Sequence, residues 1–109
     1  MANVRIVLTT VGVYEKAETL AHELVERRLA ACVNLIGPIR SIYRWLGKIE
    51  NEQEYLLLIK TTADRSVELA AAFTELHPFE LPERVELDIA EGGAAYLSWI
   101  AEQVRRGAQ

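Results

Sequence analysis

Strand-like and helix-like periods alternate along this 109-residue chain in the order β-α-β-β-α-β, followed by one more helix. That order predicts an α+β domain of the split βαβ, ferredoxin-like kind. Two observations place the strands. The run Tyr55-Leu56-Leu57-Leu58-Ile59 is apolar on both faces, as a strand in the middle of a sheet should be. The strand before it contains Pro38, which has no N–H for a ladder and belongs at an edge or a bulge. Right-handed crossovers independently put strands one and three in the centre and strands two and four outside.

The first strand is the β-branched run 4–9. Val13, Ala17, Leu20, Ala21, Leu24, Val25 and Leu29 then recur at helical spacing, predicting an amphipathic helix over 14–30. Its start is weakly marked, because Gly12 is a poorer cap than Ser or Asp. His22 falls on the polar side and is expected in solvent. Thr61-Thr62 is expected to cap a second helix with Val67, Ala70, Phe73 and Leu76 as its buried stripe. His77-Pro78 ends that helix, since the residue before proline disfavours helical geometry. A fourth, half-exposed strand follows from the alternation of Val85, Leu87 and Ile89 with acids. Gly92-Gly93 precede the last helix, on which Tyr96, Trp99, Ile100 and Val104 share a face. No linker or repeat interrupts the chain, so one domain is expected over 1–109.

The longest feature is a hairpin over 30–54. Its outgoing arm alternates from Ala31 to Leu46, interrupted at Gly37-Pro38, and the return arm is expected over 53–61. Fully extended, 31–46 spans roughly 50 Å, whereas a compact domain of this length has a radius of gyration near ~13 Å. Such a hairpin must bend, project or meet another chain. Its far half carries Tyr43, Trp45 and Ile49, which are costly to leave in water. Self-association is the expected outcome.

Net charge is −4 and the pI about 5.2, with no basic cluster beyond two Arg-Arg pairs, which argues against a nucleic-acid partner. No apolar stretch approaches the ~18 residues of a membrane span, and no signal peptide is evident. One cysteine excludes an internal disulfide and fits a reducing, cytoplasmic setting.

Chemistry-bearing residues are few. Phosphate-loop, HExxH and CxxC motifs are absent, and no catalytic residue is assigned. Cys32 sits in an alternating apolar strand, where a small buried hydrophobe is the ordinary role. Cys32 and His77 suit copper or zinc, but no ligand pair has metal-site spacing. The loop HPFELPE, 77–83, holds two of the three prolines and carries His77, Glu80 and Glu83, as a rigid binding loop would. Its plainer role is a helix stop and chain reversal. Trp45 and Trp99 are expected as interface or core aromatics.

ERRLAACVNLIGPIRSIYRWLGKIENEQEYLLLIKT, then HPFELPE, then AAYLSWI, together resemble the CutA family of divalent-cation-tolerance proteins. The resemblance runs from the first strand to the last helix. It implies a homotrimer whose hairpins extend across neighbouring subunits, an architecture shared with PII signalling proteins. It also implies binding of divalent cations, Cu2+ first, or of an unknown small ligand. By residue, it implies metal contacts at Cys32, His77 and Glu83 and an inter-subunit cleft near Lys60, Tyr43, Lys48 and Tyr96. Trp45, Ile49 and Trp99 are expected in the trimer interface. Val11-Gly12-Val13-Tyr14 departs from the family's usual Pro-Asp type loop, and Cys32 stands alone where some members carry more cysteines. Weak, non-structural metal binding is therefore expected, by a binding protein rather than an enzyme. The alternative is a small enzyme using Cys32 or His77 in the same cleft.

Overall fold

The computed structural model describes residues 3–107. Its elements are β1 (Val4–Val11), α1 (Tyr14–Glu26), β2 (Cys32–Trp45), β3 (Lys48–Thr62), α2 (Ser66–Leu76), β4 (Val85–Asp88) and α3 (Ala94–Gln103), with a 3-10 turn at Ala63–Arg65. All strand pairs are antiparallel, in the order β2-β3-β1-β4. The doubly apolar strand is central and the proline-bearing strand lies at the edge, as predicted. Among the described residues no helix is long and apolar enough to cross a membrane.

Side chains alternate across the sheet. Val7 and Val11 of β1 and Leu57 and Ile59 of β3 face the helices, packing with Leu20 and Leu24 of α1 and with Leu69 and Phe73 of α2 in the main core. Ile6, Leu8, Leu56 and Leu58 take the opposite face. There α3 lies against β1 and β3, burying Ile100 and Val104.

Beyond the core, β2 and β3 continue as an arm. Val11, the last residue of β1, pairs with Tyr55. Past that point the pairs from Ile39–Glu54 to Trp45–Lys48 form a two-stranded ribbon. Leu46 and Gly47, both at positive φ (51° and 80°), close it in the tight turn that such ribbons favour. The molecule consequently measures 44 × 27 × 21 Å, with a radius of gyration of 14.5 Å. At the base of the arm the register shifts between Ile36 and Ile39, where Gly37-Pro38 is cis. Here the proline makes a bulge. A Cβ on Gly37 would lie 2.6 Å from the Tyr55 ring, so only glycine lets the strands approach so closely.

Four local expectations need correction. The first helix ends at Glu26, not residue 30; Arg28 takes a positive φ, and the Leu29 and Ala30 amides turn back to the Leu24 carbonyl. The return arm begins at Lys48, because the two-residue turn lets pairing start immediately. Thr61 and Thr62 finish β3 instead of capping α2, and Thr61 Oγ1 donates to the Leu29 carbonyl at 2.7 Å. The buried residues of α2 are Leu69, Ala72 and Phe73, while Val67 is 80% exposed. Pure third-residue spacing drifts round a helix of 3.6 residues per turn, whereas 69, 72, 73 stays on one side.

Candidate functional site

His77 anchors the start of the 77–84 loop. Its Nδ1 accepts the Phe79 amide at 3.1 Å and its Nε2 lies 2.9 Å from Thr9 Oγ1. Since Nδ1 is an acceptor, the proton of the neutral ring sits on Nε2 and is donated to Thr9. Phe73 and Phe79 flank the ring at 5.6 and 5.2 Å between centroids. Burial lowers the imidazole pKa below its ordinary value, against the opposing pull of the Thr10 backbone and of the Glu54 charge. At the far end of the loop, Arg84 pairs with Glu86 on β4. Glu86 also accepts from Ser66 Oγ at 2.8 Å and from Arg5 at 3.0 Å. The two proline-stiffened turns are thus fastened at both ends.

Between this loop and the arm lies a cleft of about 670 Å³, walled by Tyr43 and Trp45 from β2 and by Phe79, Glu80 and Glu83 from the loop, with Glu54 of β3 among its lining. Glu54 is only 6% exposed. Burial first, then the charges of Glu54, Glu52 and Glu50, push the Tyr43 hydroxyl above its usual pKa. The cleft is therefore aromatic and negative.

A second cluster lies elsewhere. Cys32 pairs across strands with Lys60, is half-buried, and has its Sγ 3.9 Å from Asn34 Oδ1. The Lys60 ammonium reaches α3, 3.4 Å from the Tyr96 hydroxyl and 5.6 Å from its ring centre. Tyr96 stacks on Trp99 at 5.6 Å, and both stay largely exposed. Sequence reasoning placed Tyr96 and Trp99 on one face with Ile100 and Val104; the latter two are buried and the aromatics form the rim.

The expected site residues therefore divide. Tyr43, Trp45 and Glu83 meet in the arm–loop cleft, with His77 behind it. Cys32, Lys60 and Tyr96 gather at the other cluster, and Lys48 and Ile49 lie near the arm's tip, with Ile49 63% exposed. Glu54 escaped the sequence reading. Its signal was a carboxylate abutting the apolar run 55–59, easily lost in an acidic chain.

Metal donors are similarly scattered. Among the described residues no three of His, Cys, Asp and Glu come together. His77 has both ring nitrogens occupied, so ligation there means breaking the Phe79 or Thr9 bond. Cys32 is a lone soft donor beside a lysine. One chain thus offers single donors and no coordination set, which suits at most weak binding.

The profile of the CutA1 divalent ion tolerance protein family matches residues 5–103. The chain belongs to this family. It is 50% identical over 97 residues to the divalent-cation tolerance protein CutA of Thermus thermophilus, covering 89% of this chain and 94% of that one. Against human protein CutA it is 43% identical over 86 residues, 79% of this chain but 48% of the human protein, so it spans about half that relative's length. The crystal structure of CutA1 from Oryza sativa superposes with a TM-score of 0.93 at 33% identity, covering 96% of each chain. The arm, the cleft and the α3 cluster are thus features of a CutA1-family chain.

Proposed function

We propose that this chain acts as a homotrimeric divalent-cation tolerance protein that works by binding, with a PII-like output through clefts between its subunits. The observation that carries this reading is the arm. Ile42 and Ile49, 69% and 63% exposed, project with Tyr43 and Trp45 on a ribbon with no core of its own. Apolar surface of that kind is stabilised by contact with another chain, and the family resemblance supports taking that chain to be a second and third copy. The scattered donors support weak cation binding, with Cu2+ favoured by its place at the top of the affinity order of first-row divalent ions. Copper titration of the wild type, Cys32→Ala and His77→Ala tests the metal part. A weaker affinity in Cys32→Ala is expected; unchanged affinity in both variants removes these residues from the metal site. The enzyme alternative is less well supported, because His77 holds both nitrogens in structural hydrogen bonds. Turnover of a metabolite that vanishes in Cys32→Ala would revive it.

A further inference from the structure

We infer that the arm–loop cleft takes a small organic cation carrying N–H donors, an alkylammonium or alkylguanidinium, held by Glu54. This goes beyond the proposed function, whose clefts lie between subunits, and assigns a ligand class to a cleft within one chain. The carboxylate of Glu54 carries the argument. Its residue is 6% exposed, it lines the cleft, and no donor among the described residues bonds to it. With no such donor on it, the carboxylate is open to the cleft, and a cationic donor entering there supplies a charge-assisted hydrogen bond that the described residues do not.

The surroundings select the kind of cation. Among the described residues no lysine or arginine lines the cleft, and Glu80 and Glu83 add negative charge at the loop side. The rings of Tyr43, Trp45 and Phe79 offer faces that attract a cation. A volume of about 670 Å³ is that of an organic ligand rather than of a bare ion. Three converging metal donors are not found among the described residues. Quaternary ammonium would satisfy the rings but has no N–H for Glu54, so primary ammonium and guanidinium groups fit best.

The test is NMR titration of the assembled protein, following the Trp45 indole and Tyr43 ring signals. The probes are n-butylammonium, n-butylguanidinium, tetraethylammonium and butan-1-ol. Saturable shifts are expected with the first two, weaker ones with tetraethylammonium, and none with butan-1-ol. Glu54→Gln, which keeps the side-chain shape, should weaken butylammonium binding about tenfold or more, the scale of a lost charge-assisted hydrogen bond. Phe79→Leu, on the loop wall and outside the arm, should weaken it through the ring, should Glu54→Gln prove unstable. No saturable shift in the wild type, equal binding by Glu54→Gln and Phe79→Leu, or equal binding of butan-1-ol would each overturn the inference. So would Glu54-dependent binding of Cu2+ without any binding of the amines. Sedimentation and copper titration on the same samples keep the two readings apart: a trimer that binds copper but no amine sinks this inference alone.

Discussion

His77 donates its Nε2 proton to Thr9 Oγ1 at 2.9 Å while its Nδ1 accepts the Phe79 amide at 3.1 Å. One buried ring thereby joins the end of α2, the second half of β1 and the loop that forms one wall of the cleft. His77→Ala leaves the Thr9 hydroxyl and the Phe79 amide without these partners. It should cost about 1–3 kcal/mol in urea unfolding, the usual penalty for stranded buried polar groups. A loss within error would mean that water replaces the ring at no cost.

The same ring sets a pH dependence. Its folded pKa lies below the unfolded value of 6.5 because burial disfavours the charged form. The unfolded chain therefore takes up the proton first as pH falls. His77's contribution to stability is complete above about pH 6.5 and declines as pH falls from there towards the folded pKa. Unfolding free energies at pH 8, 7, 6 and 5 should show the decline in the wild type and a smaller one in His77→Gln. Identical slopes would assign the dependence to other groups.

Gly37→Ala puts a methyl group 2.6 Å from the Tyr55 ring and 3.1 Å from the Glu54 carbonyl. One strand must shift, at a cost of about 1–3 kcal/mol for an overpacked site. Since Glu54 is next to Tyr55, amide shifts in an NMR spectrum should spread into the cleft. Unchanged stability and an unchanged spectrum there would show that the bulge yields freely.

Glu86 ties the short edge strand to the rest of the sheet through Ser66, Arg5 and Arg84. Its side chain is only 11% exposed, so these bonds are poorly screened. Glu86→Ala should destabilise by about 1–3 kcal/mol. Hydrogen exchange should quicken first in β4 and the adjoining loop. Loss of protection spread evenly over the sheet would contradict this local role.

Much of this arrangement is legible in the residues. The strand order follows from the doubly apolar 55–59 and from Pro38, because sheet burial and the missing N–H leave few places for either. The loop 77–83 announces itself through its two prolines. What the sequence leaves hidden depends on contacts distant in the chain. That His77 would turn inward to Thr9, 68 positions away, instead of facing a ligand is settled by packing between α2 and β1. The division of Cys32 and Lys60 from Glu83 follows from register, which one-dimensional spacing does not show. Glu54 looks like one more acid of an acidic arm until the bulge at Gly37 and the loop enclose it.

The central claim is that the arm exists to join copies of this chain, and sedimentation equilibrium of the wild type beside Trp45→Glu tests it most directly. At micromolar concentration the wild type should sediment at three times the 12.3 kDa chain mass, and Trp45→Glu should shift towards smaller species, because a charge then replaces apolar contact. A wild type that sediments as a 12.3 kDa monomer, or a Trp45→Glu trimer as stable as the wild type, would contradict the account.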